Sequence, residues 1–253
     1  MAEYREIPPS PRLAQAVECF WTIRHAGPEV QHRVVPDGCA DILFTRHHGS
    51  VAIAAVGPMT SYRDYPLRDG ELLVGVRFHP GMWTAHLGVP GDRVTDEIVP
   101  LDGLWGSRAR ELRDQLAEAS SLQQWTGLFE ASVPSIERTG PVERALAWMA
   151  DRRGCVSMDE LANQAGFSAR QFRRVCLEQT GLTPKFLARV LRFRHALSRV
   201  DSYPGEFAEF ALDCGYYDQA HFINEFRRLS GRTPSSYADG RFFQSFHPAR
   251  PVG

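Results

Sequence analysis

The sequence predicts an α+β protein of two domains, a β-rich front half and an all-helical back half. Three observations carry this. At 253 residues the chain is long for one compact domain and sufficient for two cores. The first hundred residues alternate short apolar runs with turn signals, whereas the last hundred keep a helical period. Within the helical half, a pattern of glycines, aromatics and a proline recurs about fifty residues on.

An apolar fraction of 43% and a charged fraction of 23% are those of an ordinary globular protein, which sets disordered and fibrous classes aside. No apolar run reaches the length a bilayer needs, and MAEYREIPPSPR lacks the layout of a signal peptide, so the expected location is the cytoplasm, with no membrane partner. The five cysteines are scattered without a Cys-x-x-Cys pair, which argues against a disulfide framework and a zinc ribbon, and no metal or cofactor is expected. From Pro141 onward there are 16 Lys and Arg against 12 Asp and Glu, a net of +4, while the residues before it carry −5. A basic C-terminal half suits a polyanionic partner.

Taken in order, CFWTI, ADILF, VAIAAVG and ELLVGVRF read as strands separated by PDG, RHHGS and LRDG, which makes the front half a small β-barrel or sandwich. PGMWTAHLG reads as a short helix. Apolar residues at Leu112, Leu116, Leu122, Trp125, Leu128 and Phe129 then mark two amphipathic helices, one of which could lie against a partner subunit. VPSIERTGP, with two prolines and a glycine, breaks the pattern. The expected domains are therefore 1–134, 135–240 and a tail, 241–253.

The repeat sets ELANQAGFSARQFRRVCLEQTGLTPKFL beside EFALDCGYYDQAHFINEFRRLSGRTPSSY. Phe172, Gly181, Thr183 and Pro184 recur fifty residues later as Phe222, Gly231, Thr233 and Pro234. Ala162, Gly166 and Phe167 recur forty-nine later as Ala211, Gly215 and Tyr216. The second copy thus has one extra residue in its turn. Ser157 and Glu160 form a capping box that starts a short helix, Gly166 ends it, and a second helix follows at once. That is a helix-turn-helix, expected at about 157–181 and again at about 206–231.

In the first unit Phe172 and Cys176 point inward, which leaves Arg170, Arg173 and Arg174 as one exposed stripe. A guanidinium reads guanine bidentately in the major groove; alone, the stripe would sooner serve salt bridges with Glu178 or Asp159, but within a duplicated helix-turn-helix base reading is the expectation. In the second unit Phe222 and Phe226 point inward and Gln219, His221 and Asn224 are left for base edges, with Arg227 and Arg228 for phosphates. His221 serves either as a base contact or as a packed or capping residue. TPKFLARVLRFRHALSRV reads as one rigid connecting helix opened by Thr183 and Pro184, with Lys185 and Arg189 as further phosphate candidates. If both second helices enter successive major grooves, their separation approaches one turn of DNA, roughly 34 Å. Thr233 and Pro234 open a last helix whose amides suit a phosphate.

The stretch from about Pro141 to Tyr237, above all GYYDQAHFINEFRRLSGRTPSSY, resembles the DNA-binding domain of the AraC/XylS family of transcription regulators. The resemblance implies a seven-helix domain that reads two adjacent major-groove segments of double-stranded DNA, with RNA polymerase and a second copy of the chain as further partners. It puts the base-reading positions at Arg170, Arg173, Arg174, Gln219, His221 and Asn224. Cys176 departs from the phenylalanine usual there, so a looser first unit is expected.

VVPDGCADILF, VGPMT and GVRFHPGM resemble an uncharacterised β-rich domain found ahead of such DNA-binding domains, which implies effector sensing, dimerisation or both. Asp37, Asp41, Arg77, His79 and Trp83 are the pocket candidates, as polar groups at strand ends beside an aromatic ring. Each has a plainer reading: Asp37-Gly38 is a common turn, Asp41 pairs with Arg77, and Trp83 belongs to the core. The expected function is a ligand-responsive regulator with no catalytic activity. The alternative is a small-molecule-binding or catalytic front domain, cupin-like or thiol-based, that DNA binding merely localises. A thiol reading would rest on Cys39, where Asp37 and Asp41 disfavour the thiolate.

Overall fold

A computed structural model describes residues 2–135, 139–203 and 206–238; the expected tail, 241–253, lies outside them. The front half contains strands β1 (Ala2–Ile7), β2 (Val17–His25), β3 (Val30–Val34), β4 (Ala40–His47), β5 (Ser50–Val56), β6 (Arg63–Leu67), β7 (Leu72–Phe78) and β8 (Ile98–Pro100). Six of them form one antiparallel sheet in the order β1-β2-β7-β4-β5-β8, and β3 pairs with β6 in a separate two-stranded sheet. Of the two architectures the sequence allows, this is the two-sheet one. The barrel does not close, because β1 pairs only with β2 and the three-residue β8 only with β5.

The large sheet is apolar on both faces, which is why its strands read as continuous apolar runs. Alternate residues Phe20, Ile42, Phe44, Val74 and Val76 point to one face and are buried under helices. Trp21, Ile23, Leu43 and Leu73 point to the other, beneath the β3–β6 sheet. The helices are α1 (Thr84–Leu87), α2 (Asp102–Trp105), α3 (Ser107–Glu118) and α4 (Leu122–Ser132). The apolar stripes of α3 and α4 end in this same core, with Leu116, Trp125 and Phe129 fully buried. Those stripes therefore face inward, with Leu122 and Leu128 partly exposed at their edge.

Seven helices follow: α5 (Pro141–Asp151), α6 (Met158–Ala165), α7 (Ala169–Thr180), α8 (Pro184–Val200), α9 (Phe207–Asp213), α10 (Gln219–Ser230) and α11 (Pro234–Ala238). The caps at Ser157 and Thr183 are those expected from the sequence, and Ser168 and Asp218 add two more. Ser157 with Glu160 and Ser168 with Gln171 form capping boxes for α6 and α7, Asp218 accepts from His221 N at the start of α10, and Thr183 caps α8. Gly181 and Gly231 end α7 and α10 at φ of 73° and 72°, where a side chain would be strained. Just before each glycine stands a buried hydroxyl. Thr180 Oγ1 donates to Cys176 O (2.7 Å) and accepts from Leu182 N (3.1 Å); Ser230 Oγ donates to Phe226 O (2.7 Å) and accepts from Arg232 N (3.2 Å).

Candidate nucleic-acid interface and front-domain cavity

In the first helix-turn-helix, α7 turns Phe172 and Cys176 into a core of Leu146, Met149, Leu161 and Leu187 and leaves Arg170, Arg173 and Arg174 exposed. Arg174 pairs with Glu178 at 2.8 Å across one turn, with side chains 66% and 47% exposed. An ion pair so open to water is worth about 0–1 kcal/mol, so it holds the guanidinium in place without competing with a base.

In the second, Phe222 and Phe226 are fully buried, and Gln219, His221, Asn224, Arg227 and Arg228 are exposed. His221 Nδ1 accepts from Tyr217 N (3.3 Å) and its ring lies edge-on to Tyr216. It therefore caps the entry to α10 while its other edge stays exposed. Tyr217 itself is 86% exposed beside the first turn of α10. Sequence reasoning passed over it, although the signal was present: Ser168 and Asp218 are matching caps, so Tyr217 is the extra residue of the second copy.

The phosphate candidates separate. Lys185 and Thr233 are exposed, like Arg227 and Arg228. Arg189 is not available: it is half-buried in a bidentate ion pair with Glu225, Nη2 to Oε1 at 2.8 Å. Two other arginines of α8 do similar service toward the second unit, Arg192 donating to Gly215 O (3.3 Å) and Arg199 facing Asp213 (3.8 Å). Arg189, Arg192 and Arg199 of the connecting helix thus brace the second unit.

Between the large sheet and the β3–β6 sheet lies a cavity of about 350 Å³. Asp37, Asp41 and Arg77 line one end of it; Asp41 and Arg77 are cross-strand partners on β4 and β7. Arg77 lies 3.3 Å from Asp37, 3.5 Å from Asp41 and 3.6 Å from Glu6. Burial pushes the Asp41 carboxyl up to about 6, with Asp37 adding to the effect and Arg77 opposing it. The other two pocket candidates lie elsewhere. Trp83 is fully buried on the helix-covered face of the sheet, and His79 stands near Glu18, outside the lining. Both follow the end of β7, where the chain has left the sheet.

The cavity end continues into the interface between the halves. Arg194 of α8 donates to Asp37 O (3.1 Å) and pairs with Glu18. Burial alone would raise the Glu18 carboxyl, but Arg194 and Arg77 bring it down to about 2. Cys39 Sγ donates to Glu18 Oε2 (3.1 Å), and burial with Asp37 and Glu18 holds that thiol protonated. Two further contacts reach the ends of the exposed helices. Thr95 Oγ1 donates to Gly181 O (2.8 Å) at the end of α7, where the backbone of Gly91 comes so close to Gly181 that a methyl group would collide. Arg33 of β3 donates to Ser230 O (3.2 Å) at the end of α10, is fixed by Asp64 of β6 (2.6 and 2.7 Å), and lies over the Tyr62 ring. None of these interface residues was legible as such in the sequence.

Two known families match separate parts of the chain. Residues 5–100 match a family described as Domain of unknown function (DUF6597), and residues 161–240 match a family described as Helix-turn-helix domain. The HTH-type transcriptional activator RhaS of Escherichia coli O157:H7 is 33% identical over 97 residues, 38% of this chain and 35% of that protein. RhaS of Klebsiella pneumoniae (strain 342) is 34% identical over 104 residues, 40% of this chain and 36% of that protein. The chain thus spans about a third of the length of these relatives. Among solved structures, the DNA-binding domain of AdpA in complex with a target DNA is 24% identical, covering 46% of this chain and 100% of that one, with a TM-score of 0.38. ToxT from Vibrio cholerae O395 is 11% identical, covering 94% of this chain and 96% of that one, with a TM-score of 0.43. The chain thus joins a DUF6597 domain to a helix-turn-helix domain of the AraC/XylS type, with its tandem units on α6–α7 and α9–α10.

Proposed function

We propose that this protein is a sequence-specific transcription regulator that reads double-stranded DNA with α7 and α10 and answers to a small molecule held in the front-domain cavity. The observation that carries the DNA half is the exposure of Arg170, Arg173, Arg174, Gln219 and Asn224 on two helices whose opposite faces are fully buried. In this reading the arginines of α7 take guanine edges, Gln219 and Asn224 take adenine edges, and Arg227, Arg228, Lys185 and Thr233 hold phosphates. His221 orients the start of α10, and Tyr217 adds an aromatic contact beside it. RNA polymerase and a second copy of the chain are the protein partners, the cytoplasm is the place of action, and no catalytic step is involved.

The effector half is supported by what covers the cavity. The β3–β6 sheet that roofs it carries Arg33, which holds the end of α10, while Asp37 at its polar end touches α8 through Arg194. A ligand that shifts the roof changes the setting of one reading helix against the other. A thiol-based catalytic front domain is the weaker reading, because Cys39 is a protonated donor to Glu18.

The test begins with DNA fragments selected from a random pool by the full chain. Arg173→Ala is expected to cost about 1–3 kcal/mol and to relax preference at one or two base pairs, whereas Arg227→Ala weakens binding to all sequences alike. Equal, sequence-independent losses from both would overturn the groove assignment. Filling the cavity with Ala54→Phe is expected to change DNA affinity by about fivefold or more, and an unchanged affinity would sink the effector half alone.

A further inference from the structure

The chemistry of the cavity narrows the class of molecule that fits it. Its walls are apolar, built by Ile23, Leu43, Ala54, Val56, Leu67 and Leu73, and its volume is at the small end of ligand sites. Ala52 is exposed and Ile98 is 46% exposed, which marks the mouth beside β5 and β8. The polar groups gather at the Asp37, Asp41 and Arg77 end.

Charge at that end does not balance. Arg77 is shared by Glu6, Asp37 and Asp41 at 3.3–3.6 Å, longer than the 2.7–2.9 Å of a strong charged hydrogen bond. Behind it, Arg194 serves Glu18. Four carboxylates therefore face two guanidiniums. His32, which also lines the cavity, adds no charge near neutrality because burial brings it down to about 4. His79 faces Glu18, behind the lining. Trp21 Nε1 donates to Asp41 Oδ1 at 2.6 Å, and Arg77 approaches the same oxygen.

We infer that the cavity takes a small apolar molecule bearing one positively charged nitrogen, seated between Asp37 and Asp41. This rests on the effector reading above and narrows it to a chemical class. A cation there offsets buried negative charge that is otherwise relieved by a proton on Asp41, whose carboxyl stands at about 6. Trp21 and Tyr65 are both in the lining, and an aromatic ring attracts a cation brought to its face. An anion would enlarge the excess, with Arg77 already shared among three carboxylates. A neutral head would leave it uncorrected.

The experiment compares phenylbutylamine, phenylbutanol and phenylbutanoate, which share one body and differ in the head, by thermal denaturation of the full chain at about pH 7.5, where the amine is charged. The amine is expected to raise Tm by about 3–5 °C at ten times its Kd, the alcohol by less and the carboxylate not at all. Asp41→Asn, which keeps the shape and removes one negative charge, is expected to melt no lower than the parent and to lose the response to the amine; Asp37→Asn is expected to weaken that response. An equal or larger shift from the alcohol or the carboxylate, no shift from any probe, or a full amine response in Asp41→Asn would each overturn the assignment. These outcomes are separable from failure of the effector reading, which the DNA affinity of Ala54→Phe decides without any ligand.

Discussion

The two helix-turn-helix units share a backbone and differ in what fills it. Around α7 the core is mostly aliphatic: Phe172 is joined by Val142, Leu146, Met149, Leu161 and Cys176. Around α10 it is a web of rings, with Phe222 in contact with Phe207, Phe210, Tyr216 and Phe226, and Phe226 in turn with Phe193 and Tyr237. What the copies keep in common is conformational: a capping side chain, a buried hydroxyl and a left-handed glycine at the same places. The exposed positions proposed to read bases follow neither rule, being guanidinium on one helix and amide on the other. A helix-turn-helix is thus specified by its ends, while the core needs only volume and the exposed face is free to vary.

The comparison can be broken most forcefully at its shared phenylalanine. Phe222→Ala is expected to cost about 3–5 kcal/mol, the usual loss for truncating a buried ring, and more than Phe172→Ala because the hole opens in a web of rigid neighbours. Urea denaturation of the two variants checks the order; a reversed order would mean that the aliphatic unit is the less able to close around a hole.

A smaller effect sharpens the contrast. Cys176 stands where Phe226 stands in the second copy, and the sequence alone suggests spare room beside it. The thiol is fully buried, 3.5 Å from Leu182 O and 3.7 Å from Thr180 Oγ1. Cys176→Phe is therefore expected to destabilise by about 1–3 kcal/mol through overpacking. A rise in Tm would instead establish that the first unit is underfilled.

The smallest effect concerns what the units share. Ser168→Ala and Asp218→Ala each remove a cap worth about 1 kcal/mol, and the two losses are expected to agree within a few tenths because the caps do the same work. The same pair measured by DNA affinity should diverge, since Asp218 also orients His221, whose backbone N–H it accepts at 2.7 Å.

Legibility in the sequence follows the range of the interaction. The caps, Gly166, Gly181 and Gly231, the inward Phe172 and Phe222 and the rigid α8 all answer to constraints within a few residues, so pattern and spacing reveal them. Four strands of the large sheet, β2, β4, β5 and β7, were readable for the same reason, because their apolar runs are bounded by turns, whereas β1 and the three-residue β8 were not. β3 and β6 were not, being polar and, in β6, carrying Pro66. Nor were the roles of Arg33 and Arg194, whose partners lie 197 and 176 residues away. Of the pocket candidates, Asp37, Asp41 and Arg77 meet because β4 and β7 pair in register, whereas Trp83 and His79 were grouped with them by nearness in sequence alone.

The grip of Arg33 on Ser230 has a mechanical consequence. α10 has 12 residues and is about 18 Å long, held by the roof sheet at its C-terminal end and presenting Gln219 at the other. It is a lever with its handle in the front domain. A tilt of only about 5° applied at the handle carries the far tip through about 1.5 Å, three times the 2.7–3.2 Å window in which a side-chain amide and a base edge hydrogen-bond. A displacement in the roof too slight to disturb its own packing is therefore enough to move Gln219 by more than a side-chain hydrogen bond tolerates.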